Sequence, residues 1–333
     1  LTTMSTKENN ADVSIPTLDL GPYLDGDTRA LDVLAARLCE IQENIGFYVV
    51  INHGVPKSVL DYAYTQLEAF FSLPLEEKLQ LRINEKSVGY IPSQSTVYVT
   101  SVVNENTQPD LNETITIARE RLPNDPAILA GSRFVGPNQW PESLPDFRPA
   151  MIAYQEAMSV LGYAMLPLYA QALDLPIDYF SDFFTEPMWW TRNTYYPAVE
   201  SGKNQFGISP HCDHGFITML PMSGVPGLQV LGPNRDWIPA EPVQDGIIVN
   251  TGEFLHRWSN GRFLATPHRV VVPDRPRHSM AMFFNPNADT LAEPLESCVS
   301  ADHPRAFEPV AMIDYMSWYI DSNYKRYAGG RQT

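Results

Sequence analysis

The chain has 333 residues, 44% of them hydrophobic, enough to bury a sizeable core in one large domain or two ordinary ones. Its 23 Lys and Arg stand against 39 Asp and Glu, and the resulting charge of −16 repels phosphate backbones and anionic lipid, with no basic run to offset it locally. Nucleic acid and membrane are therefore not expected partners, no stretch approaches the roughly 20 apolar residues of a spanning helix, and the three scattered cysteines, Cys39, Cys212 and Cys298, suit a reducing cytoplasm rather than a disulfide framework.

Residues 1–14 are polar rather than secretory in character and are expected to form a disordered tail. Residues 15–20 read as an entry strand. Asp27 and Thr28 then cap a helix whose Leu31, Leu34, Leu38, Ile41 and Ile45 recur at spacings of three and four. The apolar run 47–51 reads as a strand covered on both faces and closed by Asn52-His-Gly54, where His53 is a turn residue. A second helix, 58–72, turns Leu60, Ala63, Leu67 and Phe70 inward. From 88 to 106 the pattern is irregular and rich in aromatic and hydroxyl residues, Tyr90 and Tyr98 among them, as in a loop and short strand lining a cavity. Six prolines make 122–149 an extended connection. The longest periodic run follows, Met151 to Ala172, a core helix with Pro167 as a point for a kink.

Beyond Met188 the chain changes to short strands separated by Gly, Pro and Asn: 188–196, 207–211, 216–221, 228–231, 246–250, 268–272 and 279–284. Close spacing of this kind predicts an antiparallel sandwich or barrel. A last helix over 310–324 would lay Trp318 and Tyr319 over the core or over the mouth of the sandwich.

His211 and Asp213 stand two apart, so on an extended strand both side chains face one space. His268 opens another β-branched run, and two imidazoles with one carboxylate on one face of a metal form the ligand set of a non-haem Fe(II) oxygenase. Arg277 and Ser279 repeat the i, i+2 spacing. A guanidinium fork beside a hydroxyl suits a small dicarboxylate whose far end must be held while its near end chelates metal. The competing histidines are weaker: His214 adjoins Asp213 and should point away from it, and His256 has no neighbouring anion clamp. Cys212, between the two ligands, reads as a packed thiol.

The order His-x-Asp, distal His-Arg-Val, Arg-x-Ser and Phe283-Phe284 resembles the Fe(II)/2-oxoglutarate-dependent dioxygenases of the isopenicillin N synthase-like superfamily. The segment Asn44-Ile-Gly-Phe-Tyr-Val-Val-Ile-Asn-His-Gly-Val-Pro56 is similar to the N-terminal signature of that superfamily, and Arg192-Asn-Thr-Tyr-Tyr-Pro197 to its oxoglutarate-contacting segment. The resemblance spans roughly residues 14–325. It implies a mainly β fold with flanking helices, a double-stranded β-helix or jelly-roll core buttressed by N-terminal α-helices, in one catalytic domain over 15–325. Within that domain 15–185 would be helix-rich, 186–290 the jelly roll, and 291–325 a closing loop and helix.

For the chemistry, the resemblance implies Fe(II) on His211, Asp213 and His268, with 2-oxoglutarate and O2 as co-substrates. Arg277 and Ser279 would meet the C5 carboxylate, Asn193 and Tyr195 would add oxoglutarate contacts, and Phe283, with Tyr90 and Tyr98, would meet substrate. The expected reaction oxidises a C–H bond of a small molecule with release of succinate and CO2. Hydroxylation is the default, and desaturation or ring rearrangement use the same ligands. Asp213 argues against halogenation, which needs a small residue there. Two alternatives stay open: an iron oxidase of the same superfamily that needs no 2-oxoglutarate, and a non-catalytic small-molecule binding protein on this fold. Substrate and oligomeric state are not legible.

Overall fold

The computed structural model describes residues 14–323. The tail expected over 1–14 therefore lies, but for Ser14, outside the described residues, as do 324 and 325 at the far end.

The N-terminal half supplies helices and sheet edges. The entry strand is β1 (Thr17–Asp19), parallel to β2 (Phe47–Ile51), which is covered on both faces as its two-sided apolar sequence requires. Between them runs helix α1 (Ala30–Asn44), and after β2 comes α2 (Lys57–Phe71). Asp27 and Thr28 do not cap α1. The Asp27 carboxylate accepts from the Arg29 backbone at 2.9 Å, and the helix begins after that turn with no side-chain cap. A short helix, Leu75–Gln80, follows Pro74, where the sequence reading had none.

Strands β3 (Gly89–Ile91) and β4 (Glu113–Ala118) form a hairpin of long connection. The first lies in the expected cavity segment; the second went unseen because its six residues follow a Pro and Asn-rich stretch. The proline-rich segment is irregular with one short helix, Pro126–Leu129, but its last proline does not interrupt anything. Pro149 sits in the first turn of helix α3 (Phe147–Ala172), where its missing N–H costs nothing because first-turn donors have no helical partner. Both α1 and α2 pack against α3. This three-helix layer is tied to the sheet by Tyr154, whose hydroxyl donates to the Met280 carbonyl at 2.5 Å, and by the buried Tyr48–Tyr169 hydroxyl pair at 2.8 Å.

Apart from a two-residue pair near the C-terminal end, Leu291–Ala292 with Val310–Ala311, the remaining strands are β5 (Trp189–Tyr196), β6 (Ile208–His211), β7 (Ile217–Pro221), β8 (Leu228–Leu231), β9 (Trp237–Pro239), β10 (Ile247–Thr251), β11 (His268–Val270) and β12 (Arg277–Phe284). All seven expected strands are present, with β9 in addition. They form a jelly roll of two sheets, eight strands in the order β1-β2-β10-β7-β12-β5-β4-β3 and four in the order β6-β11-β8-β9, without closing into a barrel. Among these strands only β1 and β2 pair in parallel. The final helix, α4 (Met312–Asn323), buries Met312, Met316 and Tyr319 and leaves Trp318 half exposed. No described helix is long and apolar enough to cross a membrane.

Candidate active site

A cavity of about 830 Å3 lies between the sheets. Its metal-binding wall is set by strand register. His268 pairs directly opposite His211 across the β6/β11 ladder, so both imidazoles leave the same face, with ring centroids 4.4 Å apart. Asp213 arrives differently from the expected strand alternation, because β6 ends at His211 and Asp213 sits in the loop beyond. That loop is anchored by its backbone: the Asp213 carbonyl accepts from Glu253 N at 2.7 Å, and the Cys212 carbonyl accepts from the Tyr319 hydroxyl at 2.9 Å. Gly215 and Gly252 permit the approach, since a Cβ on Gly252 would lie 2.2 Å from the Gly215 carbonyl oxygen.

The hydrogen bonds fix which atoms remain available. His211 Nδ1 lies 2.8 Å from the Ser209 carbonyl and His268 Nδ1 lies 3.1 Å from the Thr266 carbonyl. A carbonyl can only accept, so each Nδ1 carries the proton and each Nε2 presents a lone pair. Asp213 Oδ2 accepts from Thr218 Oγ1 at 2.6 Å and from Asn250 Nδ2 at 2.7 Å, which turns Oδ1 toward the imidazoles. That oxygen is 3.7 Å from His211 Nε2 and 3.6 Å from His268 Nε2. Three donor atoms thus converge within 4.8 Å of one another, all on buried residues, an arrangement that can hold a divalent cation with its opposite side open. Burial pushes the His211 imidazole below its ordinary pKa, and the second imidazole adds to this. Burial would push the Asp213 carboxyl up, but any charge on the neighbouring imidazoles, together with the Thr218 and Asn250 donors, outweighs it and lowers the group overall.

The opposite wall comes from β12 and β5. Arg277 and Ser279 share a face of β12, are both buried, and line the cavity. Arg277 Nε donates to the Val225 carbonyl at 3.2 Å and the guanidinium lies over the Tyr196 ring, 5.0 Å from its centroid. Its Nη1 is buried without a hydrogen-bond partner. A buried guanidinium nitrogen left open costs free energy unless an acceptor arrives, and a carboxylate is the acceptor that matches its fork.

On β5 the expected phase is wrong by one residue. Trp190, Arg192, Thr194 and Tyr196 face the cavity, whereas Asn193 and Tyr195 are on the other side of the sheet. Asn193 Nδ2 donates to the Ile115 carbonyl at 3.2 Å and to Thr191 Oγ1 at 3.1 Å, and the Tyr195 ring stacks on Phe71 at 5.7 Å. The strand is buried on both faces, so its sequence carries no polar alternation to reveal the phase. Its pairing does reveal it: Tyr196 lies opposite Arg277 and Thr194 opposite Ser279, and residues directly opposite share a face.

Of the three substrate candidates, Phe283 and Tyr98 line the cavity, and the Tyr98 ring stacks on His211 at 4.3 Å. Tyr90 does not. It is a core residue packed edge-on against Phe70, with its hydroxyl donating to Glu113, because alternation along β3 turns its neighbour Ile91 to the cavity instead; Val88, just before the strand, also lines it. His214 does not point away from the site either. Since the loop breaks strand alternation, its ring also lines the cavity, stacked on Tyr319 at 4.7 Å and Trp190 at 5.2 Å. Burial lowers the His214 imidazole to about 4 against the pull of Asp213, so it is neutral. Cys212 is the packed thiol expected, donating to the Ala265 carbonyl at 3.3 Å. His53 and His256 serve their own turns, bound to the Asp245 and Phe263 carbonyls.

Comparison with known proteins gives two family matches, the "non-haem dioxygenase in morphine synthesis N-terminal" model over residues 15–143 and the "2OG-Fe(II) oxygenase superfamily" model over 190–286. The 2-oxoglutarate-Fe(II) type oxidoreductase hxnY of Emericella nidulans is 30% identical, over 93% of this chain and 90% of the relative. Kihadalactone A synthase LFS of Citrus sinensis is 33% identical, over 81% of this chain and 82% of the relative. Among solved structures, a full-length Neurospora crassa protein in complex with alpha-KG and thymine superposes with a TM-score of 0.80 at 27% identity, covering 97% of this chain and 99% of that one.

Proposed function

The chain belongs to the 2OG-Fe(II) oxygenase superfamily and is a dioxygenase dependent on Fe(II), 2-oxoglutarate and O2; on that premise we propose that it hydroxylates a C–H bond of a small molecule, with His211, Asp213 and His268 holding the iron. The observation that carries the assignment of residues is the convergence of the two Nε2 atoms and Asp213 Oδ1 in a cavity that also contains the open, buried Arg277 Nη1.

Iron with its co-substrates supplies the oxidising power, as 2-oxoglutarate is decarboxylated to succinate and CO2. The chain supplies position. Arg277 and Ser279 bind the C5 carboxylate of 2-oxoglutarate, with Tyr196 and Thr194 beside them on the neighbouring strand in the places first assigned to Asn193 and Tyr195. Ser209 and Thr266 keep the imidazole protons on Nδ1, and Thr218 and Asn250 keep Asp213 turned toward them. The thymine complex of the Neurospora crassa protein supports a small-molecule substrate, and the cavity volume suits one. A single catalytic domain and a cytoplasmic site of action complete the reading, the latter in keeping with three cysteines that are all free.

The test is anaerobic titration of the Fe(II)-loaded protein with 2-oxoglutarate, following the visible absorption that chelation produces, and then assay for succinate on admitting O2. A saturable band followed by succinate release is expected. Absence of the band would overturn the role given to Arg277 and favour the oxoglutarate-independent oxidase.

A further inference from the structure

Three described histidines line the cavity, and they are not equally committed. His211 and His268 each set Nδ1 against a backbone carbonyl, which fixes the proton there and leaves Nε2 for the proposed iron position. His214 has no such anchor. Its Nε2 is buried without a hydrogen-bond partner, and among the described residues none bonds its Nδ1. The residue is only 5% exposed, so this is not a solvated surface imidazole. Of the two nitrogens only Nε2 is fully enclosed, which leaves Nδ1 as the one a bound molecule can reach.

What this ring can offer is set by its neighbours. Trp190 and Tyr319 stack on it with centroids 5.2 and 4.7 Å away and interplanar angles of 21° and 27°, and Phe283 lies 5.2 Å off. Stacking covers ring faces and leaves the edge, where the nitrogens are. An imidazole edge presents an N–H in either tautomer, and no carbonyl selects which nitrogen carries it here. A buried polar edge left unpaired costs free energy until a hydrogen-bonding group arrives. The cations that line the cavity are meanwhile engaged or solvated. Arg192 donates to the Tyr98 hydroxyl and interacts with the buried Asp110, Arg133 is held by Asp321 at 3.0 and 2.7 Å, and Arg82 is exposed. With 2-oxoglutarate on Arg277, an anionic substrate would lose its hydration against this wall with no free cation among the described residues to offset the loss.

We propose that the substrate is an uncharged flat ring system bearing a carbonyl, hydroxyl or ring N–H, that this polar group bonds the edge of His214, and that the ring lies against Trp190 and Phe283, which line the cavity 5.6 Å apart. This rests on the assignment of Arg277 to 2-oxoglutarate and of iron to its three ligands. His214 follows Asp213 directly in the chain, so a group held there is beside the proposed iron position, and the carbon presented for oxidation is one close to that polar group. His214 acts as the specificity residue. A ring without the polar group leaves the imidazole edge unpaired, and that cost rejects it.

Calorimetry on the full chain, loaded anaerobically with Fe(II) and saturating 2-oxoglutarate so that Arg277 is occupied, tests this with two size-matched sets of probes. The one-ring set is acetophenone, toluene and benzoate; the two-ring set is 2-quinolinone, naphthalene and 2-naphthoate. In at least one set the uncharged polar ring should bind about ten-fold or more tightly than both its hydrocarbon and its carboxylate. His214→Phe keeps a stacking ring and removes both nitrogens. It should erase the advantage over the hydrocarbon, weakening the polar ring about ten-fold while changing the hydrocarbon less than about three-fold, and hydrocarbon binding itself reports that the variant is folded. His214→Gln should keep part of the advantage, and Trp190→Leu should weaken polar ring and hydrocarbon alike. A carboxylate bound most tightly, hydrocarbon and polar ring bound equally, no polar ring bound at all, or an undiminished advantage in His214→Phe would each overturn the inference, and the first three are read on the unmutated protein. The 2-oxoglutarate absorption band recorded on the same samples separates the two assignments: with the band intact, a failed preference defeats this inference alone, and without the band the co-substrate assignment falls as well.

Discussion

Two clusters of buried charge sit on opposite faces of the eight-stranded sheet, and they are built to opposite rules. On the outer face Lys78 Nζ donates to the Glu113 carboxylate and the Phe71 carbonyl at 2.8 and 3.0 Å, while the Tyr90 hydroxyl donates to the same carboxylate. Donors and acceptors there satisfy one another. On the inner side, across the cavity, the His211, Asp213 and His268 donor atoms, held by the four-stranded sheet and the loop after β6, converge on a common point, and the Nη1 of Arg277 on the eight-stranded sheet is left open. Both clusters keep charged side chains largely out of solvent, so burial of charge alone does not distinguish structure from function. The distinguishing feature is which valences the fold leaves unused, and that sets what each substitution should do.

The largest effect is expected where a converging atom is removed. His211→Ala, Asp213→Ala and His268→Ala should each reduce succinate formation to background while leaving circular dichroism unchanged, because the site is a local feature of a large core. Iron content measured alongside should fall. Full iron occupancy with retained activity in any of the three would remove that residue from the ligand set.

Arg277→Ala leaves a bound carboxylate buried without its partner, at about 3–5 kcal/mol. At 1.4 kcal/mol per factor of ten, 2-oxoglutarate should bind roughly two to three and a half orders of magnitude more weakly. Arg277→Lys should recover part of this, since an ammonium keeps the charge but not the fork. The anaerobic titration reads both, with iron binding preserved. On the outer face the same physics acts on stability instead. Lys78→Met should cost about 3–5 kcal/mol in denaturant unfolding by stranding Glu113, with the 2-oxoglutarate titration unmoved, and Lys78→Met with Glu113→Gln should recover most of it. A shifted titration in Lys78→Met would erase the contrast between the two faces.

Smaller effects sharpen the boundary of the inner cluster. Thr218→Val or Asn250→Ala frees Asp213 Oδ2 and should weaken iron binding about 10- to 100-fold in a competition assay with a metal chelator. Least of all, Asn193→Ala should leave 2-oxoglutarate affinity within about two-fold and cost about 1–3 kcal/mol of stability, since its amide serves Ile115 and Thr191 rather than the cavity. A clear loss of 2-oxoglutarate binding in that variant would restore Asn193 to the site and undo the phase assigned to β5.

The phase of β5 also marks how far the sequence could be read. Periodicity and spacing were enough for the two long N-terminal helices, the core helix with its Pro167, and all seven expected strands, because a helix period of 3.6 and a run of β-branched residues are local properties of the chain. The Arg277–Ser279 pair was legible for the same reason, being two positions on one strand of eight residues. The ligands were legible by residue type, although Asp213 reaches the site from a loop rather than from the strand on which its spacing to His211 was interpreted. Strand β9 and the helix Leu75–Gln80 went unseen because three and six residues hold too little pattern to stand out.

What only the tertiary structure decided is which face of a doubly buried strand meets the cavity. In β5 both faces are apolar or hydrogen-bonded, so neither polarity nor periodicity marks one of them, and a shift of one residue exchanges Arg192, Thr194 and Tyr196 for Asn193 and Tyr195. The choice is made by partners distant in sequence: β12 sets Tyr196 beside Arg277, and α2 receives Tyr195 on the outside. The same holds for His214 and Tyr90, whose side chains are directed by a loop anchor and by a buried carboxylate that no local pattern announces. Residue type determined the chemistry this chain can perform, since donor atoms and charge belong to the side chain itself. The side of the sheet each residue serves was decided by the pairing of strands far apart in the chain, because a pleat has two equivalent faces until something packs against one of them.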